Sequence, residues 1–121
     1  MMDQSLINKL LSLGFKQRVE NMFSVDSEDK LFTTMNYWEI FVYFENGKHY
    51  ISNNGDLVEN FDAPNIVLDE AVKNIKERIS KFGCVLNVSR IVKEFEPKDF
   101  DESLLQFVEA VKSVDKMYEE L

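Results

Sequence analysis

The stretch that decides the fold runs from Tyr37 to Phe61 and reads YWEIFVYFENGKHYISNNGDLVENF. It holds two Asn-Gly pairs, Asn46-Gly47 and Asn54-Gly55, between segments rich in aromatic and β-branched residues. Asn-Gly supplies the two positive φ angles that a type I′ turn requires, so each pair predicts a tight hairpin turn. The stretch therefore predicts an antiparallel meander with strands over 37–44, 49–52 and 57–61.

The first of these strands has apolar residues on both faces. Successive side chains of a strand point to opposite faces, and neither set here is mainly polar. We therefore expect this strand to be central in the sheet, with other elements packed on each side of it. The two sets are Trp38, Ile40, Val42 and Phe44 on one face, and Tyr37, Glu39, Phe41 and Tyr43 on the other.

Helical spacing of apolar residues predicts three helices. A short N-terminal helix begins after the capping residue Asp3 and ends at Gly14. A longer helix covers 68–82 and stops at Gly83. The last helix follows Pro97, where Asp99 and Glu102 have the spacing of a capping box. The three apolar stripes consist of Leu6, Ile7, Leu10 and Leu11; of Leu68, Ala71, Val72, Ile75, Ile79 and Phe82; and of Leu104, Phe107, Val108, Val111, Val114 and Tyr118.

The remaining segments carry weaker signals. Residues 15–29 fit either a continued helix or an entering strand, and Asp26-Ser27-Glu28-Asp29 is predicted to be a polar turn. A strand is possible over 31–34, and a second hairpin is predicted over 84–88 and 91–95, turning at Ser89-Arg90. The sequence thus predicts one α+β domain over residues 1–121, in which two amphipathic helices and a short N-terminal helix pack on an antiparallel sheet.

Charge limits the kinds of partner that this protein can take. Its 121 residues include 14 basic and 22 acidic ones, for a formal net charge of −8. Binding to nucleic acid needs a basic face that displaces counterions, and none is visible, so neither nucleic acid nor an anionic membrane is expected as a direct partner. A basic protein, or a nucleic-acid-binding protein whose groove accepts carboxylates, is the expected partner. With no secretory signal and no apolar run of about 20 residues, we expect a location in the bacterial cytoplasm.

Few residues in the chain are suited to catalysis. His49 and Cys84 are the only histidine and the only cysteine, and nothing in the sequence places them together. Zinc sites normally use several such ligands, and the Asn53-Asn54-Gly55-Asp56 segment lacks the spacing of a calcium loop. We therefore predict neither enzymatic activity nor a cofactor, with His49 a strand residue near a turn and Cys84 a buried thiol.

Two surfaces remain as candidate interaction sites. The first is acidic and surrounds Pro97. Such residues are ordinarily a solvated segment that favours the start of a helix, and alternatively they form an anionic patch for a basic groove. The second is aromatic, since any of Tyr37, Trp38, Phe41 and Tyr43 left exposed would be an anchor for a partner. The acidic candidates are Glu94, Glu96, Asp99, Asp101 and Glu102, joined by Asp26, Glu28 and Asp29 if the fold brings them near.

The chain resembles a family of small phage and bacterial proteins of unknown function over residues 31–95. The matching positions include Ile51 to Asp56 (ISNNGD) and Phe82 to Val85 (FGCV). The family tends to have Asp-Asp-Gly-Tyr in its hairpin, whereas here Asn53 replaces an acid and Asp56 an aromatic residue. The resemblance implies a phage or prophage setting and no established activity.

These observations lead to one main hypothesis and two alternatives. The main hypothesis is a phage-type protein that inhibits a host defence nuclease, such as a CRISPR effector, by presenting carboxylates to its basic groove. One alternative is an immunity or antitoxin partner of a toxin. The other is a small-ligand binder or enzyme that uses His49 and the segment from Asn53 to Asp56, and a concave pocket at the second Asn-Gly pair would favour it.

Overall fold

The structure is a computed structural model that describes residues 1–31, 35–59 and 68–120. It contains four α-helices, six strands and one 3₁₀ turn within these residues. In order they are α1 (Gln4–Ser12), β1 (Lys16–Val19), β2 (Met22–Lys30), β3 (Tyr37–Glu45), β4 (Lys48–Ser52), α2 (Asp56–Glu59), α3 (Leu68–Ser80), β5 (Val85–Asn87), β6 (Arg90–Phe95), a 3₁₀ turn (Pro97–Asp99) and α4 (Phe100–Glu119).

The six strands form one antiparallel sheet in the order β1-β2-β3-β4-β6-β5. The first four strands are neighbours in both sequence and space. Strand β6 then pairs with β4, and the short β5 forms the far edge. The predicted α+β class, with an antiparallel sheet, two longer helices and a short N-terminal helix, is confirmed.

Only the first Asn-Gly pair forms the predicted turn. Asn46 and Gly47 both have positive φ, at 52° and 80°, and join β3 to β4. At the second pair only Gly55 has a positive φ, at 91°, and the chain continues into α2. The predicted strand over 57–61 is therefore wrong for residues 57–59, while 60 and 61 lie outside the described residues.

The second pair is diverted by contacts that are distant in sequence. The Asn53 side-chain Oδ1 accepts a hydrogen bond from the backbone N–H of Ile91 at 3.0 Å, which binds the end of β4 to β6. Gly55 lies so close to the β5–β6 turn that an added Cβ would come within 2.6 Å of the Ser89 Oγ. Strand β6 thus occupies the place beside β4 that the meander assigned to residues 57–61.

The predicted turn at residues 26–29 is also wrong, because these residues belong to β2. Asp26 pairs with Glu39, and Lys30 pairs with Tyr37, so an irregularity lies between them. Ser27 stabilises it: its hydroxyl donates to the Asp29 carbonyl at 2.7 Å and accepts from the Trp38 N–H at 3.1 Å. Four consecutive polar residues thus form an exposed, bulged strand.

The other weak signals have mixed outcomes. Most of residues 15–29 form strands rather than a continued helix, since β1 and β2 make a hairpin with Asn21 at a φ of 61°. In the second hairpin the turn is Val88-Ser89, one residue earlier than predicted, and Val88 has the positive φ. The possible strand over 31–34 falls mainly on 32–34, outside the described residues, and Leu31 itself is buried but not in a strand.

The three longer helices pack on one face of the sheet. Cross-strand pairing places Phe23, Val42 and Ile51 in one row on that face, all nearly inaccessible. Helix α4 packs there through Phe107, whose ring centroid lies 5.9 Å from that of Trp38. Lys93, the next member of the row, donates from Nζ to the Phe82 carbonyl after α3 at 2.7 Å. Loop residue Phe15, which follows α1, reaches α4 by ring contact with Phe100.

The opposite face, called here the open face, is not covered by any of these three helices. It carries Ser24, Phe41, Tyr43, Tyr50 and Ser52. The expectation that β3 would have elements packed on both sides is therefore wrong for the described residues. On this face the rings of Tyr43 and Tyr50 stack on each other, and both side chains are half-buried.

Candidate functional site

The five acids around Pro97, called here the helix-start acids, are all exposed. Glu94 is on the open face of β6 opposite Tyr50, and Glu96 follows the strand. The chain then bends, because Pro97 opens a 3₁₀ turn that leads directly into α4. Asp99, Asp101 and Glu102 therefore surround the positive N-terminal end of α4, where carboxylates are favourable.

Lysines neutralise part of this surface. Lys48 lies 3.3 Å from Glu94, Lys98 lies 3.5 Å from Glu96, and Lys9 forms an ion pair with Asp101. Asp99 and Glu102 have no ion-pair partner within the part of the chain that the structure describes. Exposed pairs of this kind contribute only up to about 1 kcal/mol each.

The second group, called here the strand acids, consists of Asp26, Glu28 and Asp29, and all three are exposed on β2. Asp29 lies 3.7 Å from the Nζ of Lys112 in the later half of α4. Asp26 and Glu28 have no ion-pair partner in the described ranges.

The two acidic groups lie on separate parts of the molecule. Strands β2 and β6 are three positions apart in the sheet, or about 14 Å. Met22 aligns with Glu94 through Tyr43 and Tyr50, and Asp26 is four residues further along its strand, or about 13 Å. The structure therefore does not bring the strand acids to the helix-start acids.

The aromatic candidates divide between core and surface. Trp38 is 7% exposed and belongs to the core, whereas Tyr37 is 57% exposed. Phe41 and Tyr43 are half-buried on the open face, where the Tyr43 ring stacks on Tyr50 with centroids 5.3 Å apart. The open face thus carries aromatic surface that sequence reasoning flagged as a possible anchor.

A pocket of about 430 Å³ lies on the open face. Phe41 and Tyr43 supply its aromatic wall, and Asn53, Asn54 and Arg90 supply polar groups. Burial raises the pKa of Tyr43, an effect that a hydrogen bond with Ser52 partly offsets. The pocket is concave and reaches the second Asn-Gly pair, but His49 does not line it.

His49 lies on the covered face and is engaged by its neighbours. Its ring centroid lies 4.9 Å from that of Phe44 and 5.7 Å from that of Phe95. Its Nε2 accepts a hydrogen bond from the backbone N–H of Asp3 at 3.4 Å. Burial lowers the pKa of the imidazole, with the Asp3 carboxylate acting in the opposite direction. The ring therefore helps to hold the N-terminus against the sheet.

Cys84 is a buried thiol, 3% exposed. Its Sγ lies 3.8 Å from the Phe82 carbonyl oxygen, in a setting distinct from that of His49. Burial raises the pKa of Cys84 to about 11, although the positive charge of Lys93 acts to lower it. A thiol that stays protonated is a poor nucleophile at neutral pH.

Within the described ranges, no group of three or more His, Cys, Asp or Glu side chains is arranged to hold a metal ion.

Arg90 and Tyr50 are the site residues that sequence reasoning missed. Arg90 reaches the open face because β4 pairs with β6, whereas Tyr50 does so through its pairing with Tyr43 in β3. A pairing between strands that are some 40 residues apart leaves no local pattern. The only sequence signal for these site residues was the alternation of polar and apolar residues in β4 itself.

Comparisons with known proteins give no relative: no family model, no curated protein and no solved structure matches this chain. Within the described ranges, none of the helices has both the length and the apolar character needed to cross a bilayer.

Proposed function

We propose that this protein acts by binding a basic protein and covering the surface with which that partner contacts nucleic acid. The net charge of −8 supports such a partner, since carboxylates take the place of phosphates in a basic groove. The exposure of all eight candidate acids supports it as well.

The observation that carries the proposal is the pattern of ion pairing among those eight acids. Four of them, Glu94, Glu96, Asp101 and Asp29, already have lysine partners. The other four have none within the described ranges and remain available to cations of a partner. These four, called here the free acids, are Asp26, Glu28, Asp99 and Glu102.

The finer proposal concerns the identity of the partner. The resemblance to small phage proteins favours a host defence nuclease, such as a CRISPR effector, in the bacterial cytoplasm. A nucleic-acid-cleaving toxin is the corresponding partner if the protein is an immunity or antitoxin protein. Both partners share a basic groove for nucleic acid, so the recognition chemistry is the same.

Affinity capture from bacterial lysate tests the broad proposal. The immobilised protein should retain a basic, nucleic-acid-binding protein at low salt and release it at high salt or when DNA or RNA is added. Retention of no such protein, or of one that nucleic acid does not displace, would overturn the proposal.

A phage-protection assay tests the finer proposal, that the partner is a host defence nuclease. Expression of the protein in cells that carry a defence nuclease should restore phage growth, whereas a variant with all four free acids changed to amides should not. If every defence nuclease tested still blocks phage growth when the protein is expressed, the role as a defence inhibitor is excluded.

The open-face pocket favours a second candidate function, the binding of a small ligand. Its aromatic wall and polar groups are typical of ligand sites, and its volume lies within their usual range of about 300–1,000 Å³. Because His49 lies on the other face, this candidate is binding rather than catalysis. A small-molecule screen by thermal shift, repeated with Arg90→Ala, tests it: a stabilising ligand should lose its effect in the variant, and the absence of any stabilising ligand would rule the candidate out.

A further inference from the structure

A groove of about 300 Å³ runs between β2 and α4, on the face of the sheet that the helices cover. Phe15, Val25 and Ile40 line it from the sheet side, and Leu104 and Val108 line it from α4. Trp38, the only tryptophan of the chain, also contributes to its lining. The groove is therefore largely apolar, and it lies where the helical layer stops short of the edge of the sheet.

Acidic side chains surround this apolar floor. The strand acids Glu28 and Asp29 lie at the groove, together with a single base, Lys112, which Asp29 already engages at 3.7 Å, whereas Asp26 pairs with Glu39 on the open-face side of β2. The apolar floor and the acidic rim together define a surface for a ligand that is both hydrophobic and cationic.

The backbone beside the groove is also accessible from the outer side. Strand β1 pairs with β2 only over Met22 to Ser24, and no other described residue pairs with the outer edge of β2 beyond that point. The irregularity around Ser27 prevents a regular ladder there, so a partner strand cannot simply extend the sheet. Insertion of side chains into the groove is the mode of binding that this geometry permits.

We propose that this groove binds a short segment of the basic partner in which an apolar side chain is flanked by lysine or arginine. The apolar side chain lies on Trp38, Leu104 and Val108, and its basic neighbours reach Glu28. This inference rests on the proposed function and identifies the part of the partner that is recognised. A second copy of this chain is the less suitable occupant, because each copy carries a net charge of −8.

Trp38 provides the readout, since it is the only tryptophan of the chain and contributes to the lining of the groove. The probes are a short peptide in which arginine alternates with leucine, a charge-reversed peptide with glutamate in place of arginine, and an apolar-deleted peptide with serine in place of leucine. The first peptide should shift the Trp38 emission saturably, and the other two should not. An equal response to the charge-reversed peptide, or no response to any of the three, would overturn the proposal.

Two charge variants separate the groove from the overall charge. Glu28→Gln and Asp29→Asn together remove the rim, whereas Glu70→Gln and Glu77→Gln, both exposed on α3, remove the same charge elsewhere. We expect the first variant to bind the arginine–leucine peptide on the order of tenfold more weakly and the second to bind it nearly as the wild type does. Equal losses in both variants would mean attraction by net charge and would contradict a specific groove.

A third variant tests the apolar floor. Val108→Lys places a charge in the groove and should abolish the Trp38 response, while its far-ultraviolet circular dichroism and its melting curve show whether α4 is intact. If a folded variant still binds normally, the groove is not the site. Sedimentation of the wild type at high concentration checks for the alternative occupant, and a dimer abolished by Val108→Lys would contradict the proposal.

The failure of this inference and that of the proposed function can be told apart. If capture retains a basic partner whose binding ignores the groove variants, the proposed function stands and the groove is excluded. If the peptide binds but no partner is captured, the groove recognises its ligand and the proposed function fails.

Discussion

At the scale of single residues, burial sets the chemistry of Cys84. The thiol is 3% exposed, and burial raises its pKa to about 11. Its ordinary value is about 8.5, so between these values the unfolded chain loses a proton that the folded protein keeps. The folded state is consequently favoured below the ordinary pKa and loses this contribution as the pH rises.

This difference predicts how stability depends on pH. Between about pH 8.5 and 11, the free energy of unfolding should fall further in the wild type than in Cys84→Ala, by an amount of order 2 kcal/mol. Urea unfolding at several pH values measures it. The comparison removes the contributions of lysines and tyrosines, which both proteins share, and parallel pH profiles would show that the thiol ionises normally in the folded state.

His49 titrates in the opposite sense. Burial lowers the pKa of its imidazole, and the Nε2 accepts the Asp3 N–H only while it is unprotonated. Stability from this contact is present above the ordinary pKa of about 6.5 and is lost as the pH falls through the folded value.

As His49 is the only histidine, its ring signals in a proton NMR titration stand alone. We expect a midpoint below 6.5 in the wild type and a lower one in Asp3→Asn, because the Asp3 carboxylate raises the pKa. Asparagine also caps helices well, so α1 should stay formed. A midpoint at or above 6.5 would contradict the lowering of the His49 pKa by burial.

At the scale of elements, Gly47 and Gly55 offer a matched pair of turns. Both have positive φ, but a Cβ at Gly47 meets nothing within 4 Å, whereas one at Gly55 comes within 2.6 Å of the Ser89 Oγ. Gly47→Ala should cost about 1 kcal/mol through backbone strain alone. Gly55→Ala should cost at least about 1 kcal/mol more, because the Ser89 side chain must move away from the added methyl group.

A double-mutant cycle checks the cause of this difference. Ser89→Ala removes the clashing oxygen, so it should recover part of the stability lost in Gly55→Ala, measured against Ser89→Ala alone in chemical denaturation. Additive effects on the free energy of unfolding would show that the loop at Gly55 and the turn at Ser89 are not in close contact in solution.

Sequence periodicity predicted the elements whose signals are local. β3, β4, α1, α3 and α4 all have apolar residues at regular spacing, and Asn46-Gly47 forms its turn from its own dihedral preferences. β2 was ambiguous because its burial does not alternate. Ser24 is a fully buried polar residue. Its burial is tolerated because its hydroxyl donates to Glu39 at 2.7 Å and accepts from the Nε of Arg18 at 2.6 Å. A polar network of this kind is invisible in an apolar pattern.

At the scale of the whole molecule, strand order decides where the candidate surfaces lie. The β4–β6 pairing depends on contacts such as that of Asn53 with Ile91, so the sequence predicted a three-stranded meander and a second hairpin without the order in which their strands join. That order separates the strand acids from the helix-start acids. Composition predicted an acidic protein, but only the fold distinguishes the free acids from those that lysines already pair.

This distinction gives matched variants for the central claim. One variant changes the four free acids to amides, and the other changes the four paired acids, Glu94, Glu96, Asp101 and Asp29, so both lose the same charge. Free carboxylates are available for direct contact, whereas a paired carboxylate must first break its ion pair with a lysine of the same chain. The free acids should therefore contribute more to binding of the partner.

The most direct test is the dissociation constant of the captured partner across a salt series, with the wild type and these two variants side by side. We expect wild-type affinity to fall by about tenfold or more as salt rises from about 50 to 300 mM. The free-acid variant should bind most weakly and show the flattest salt dependence, with the paired-acid variant between it and the wild type. An affinity that ignores salt and is unchanged in both variants would contradict recognition through carboxylates.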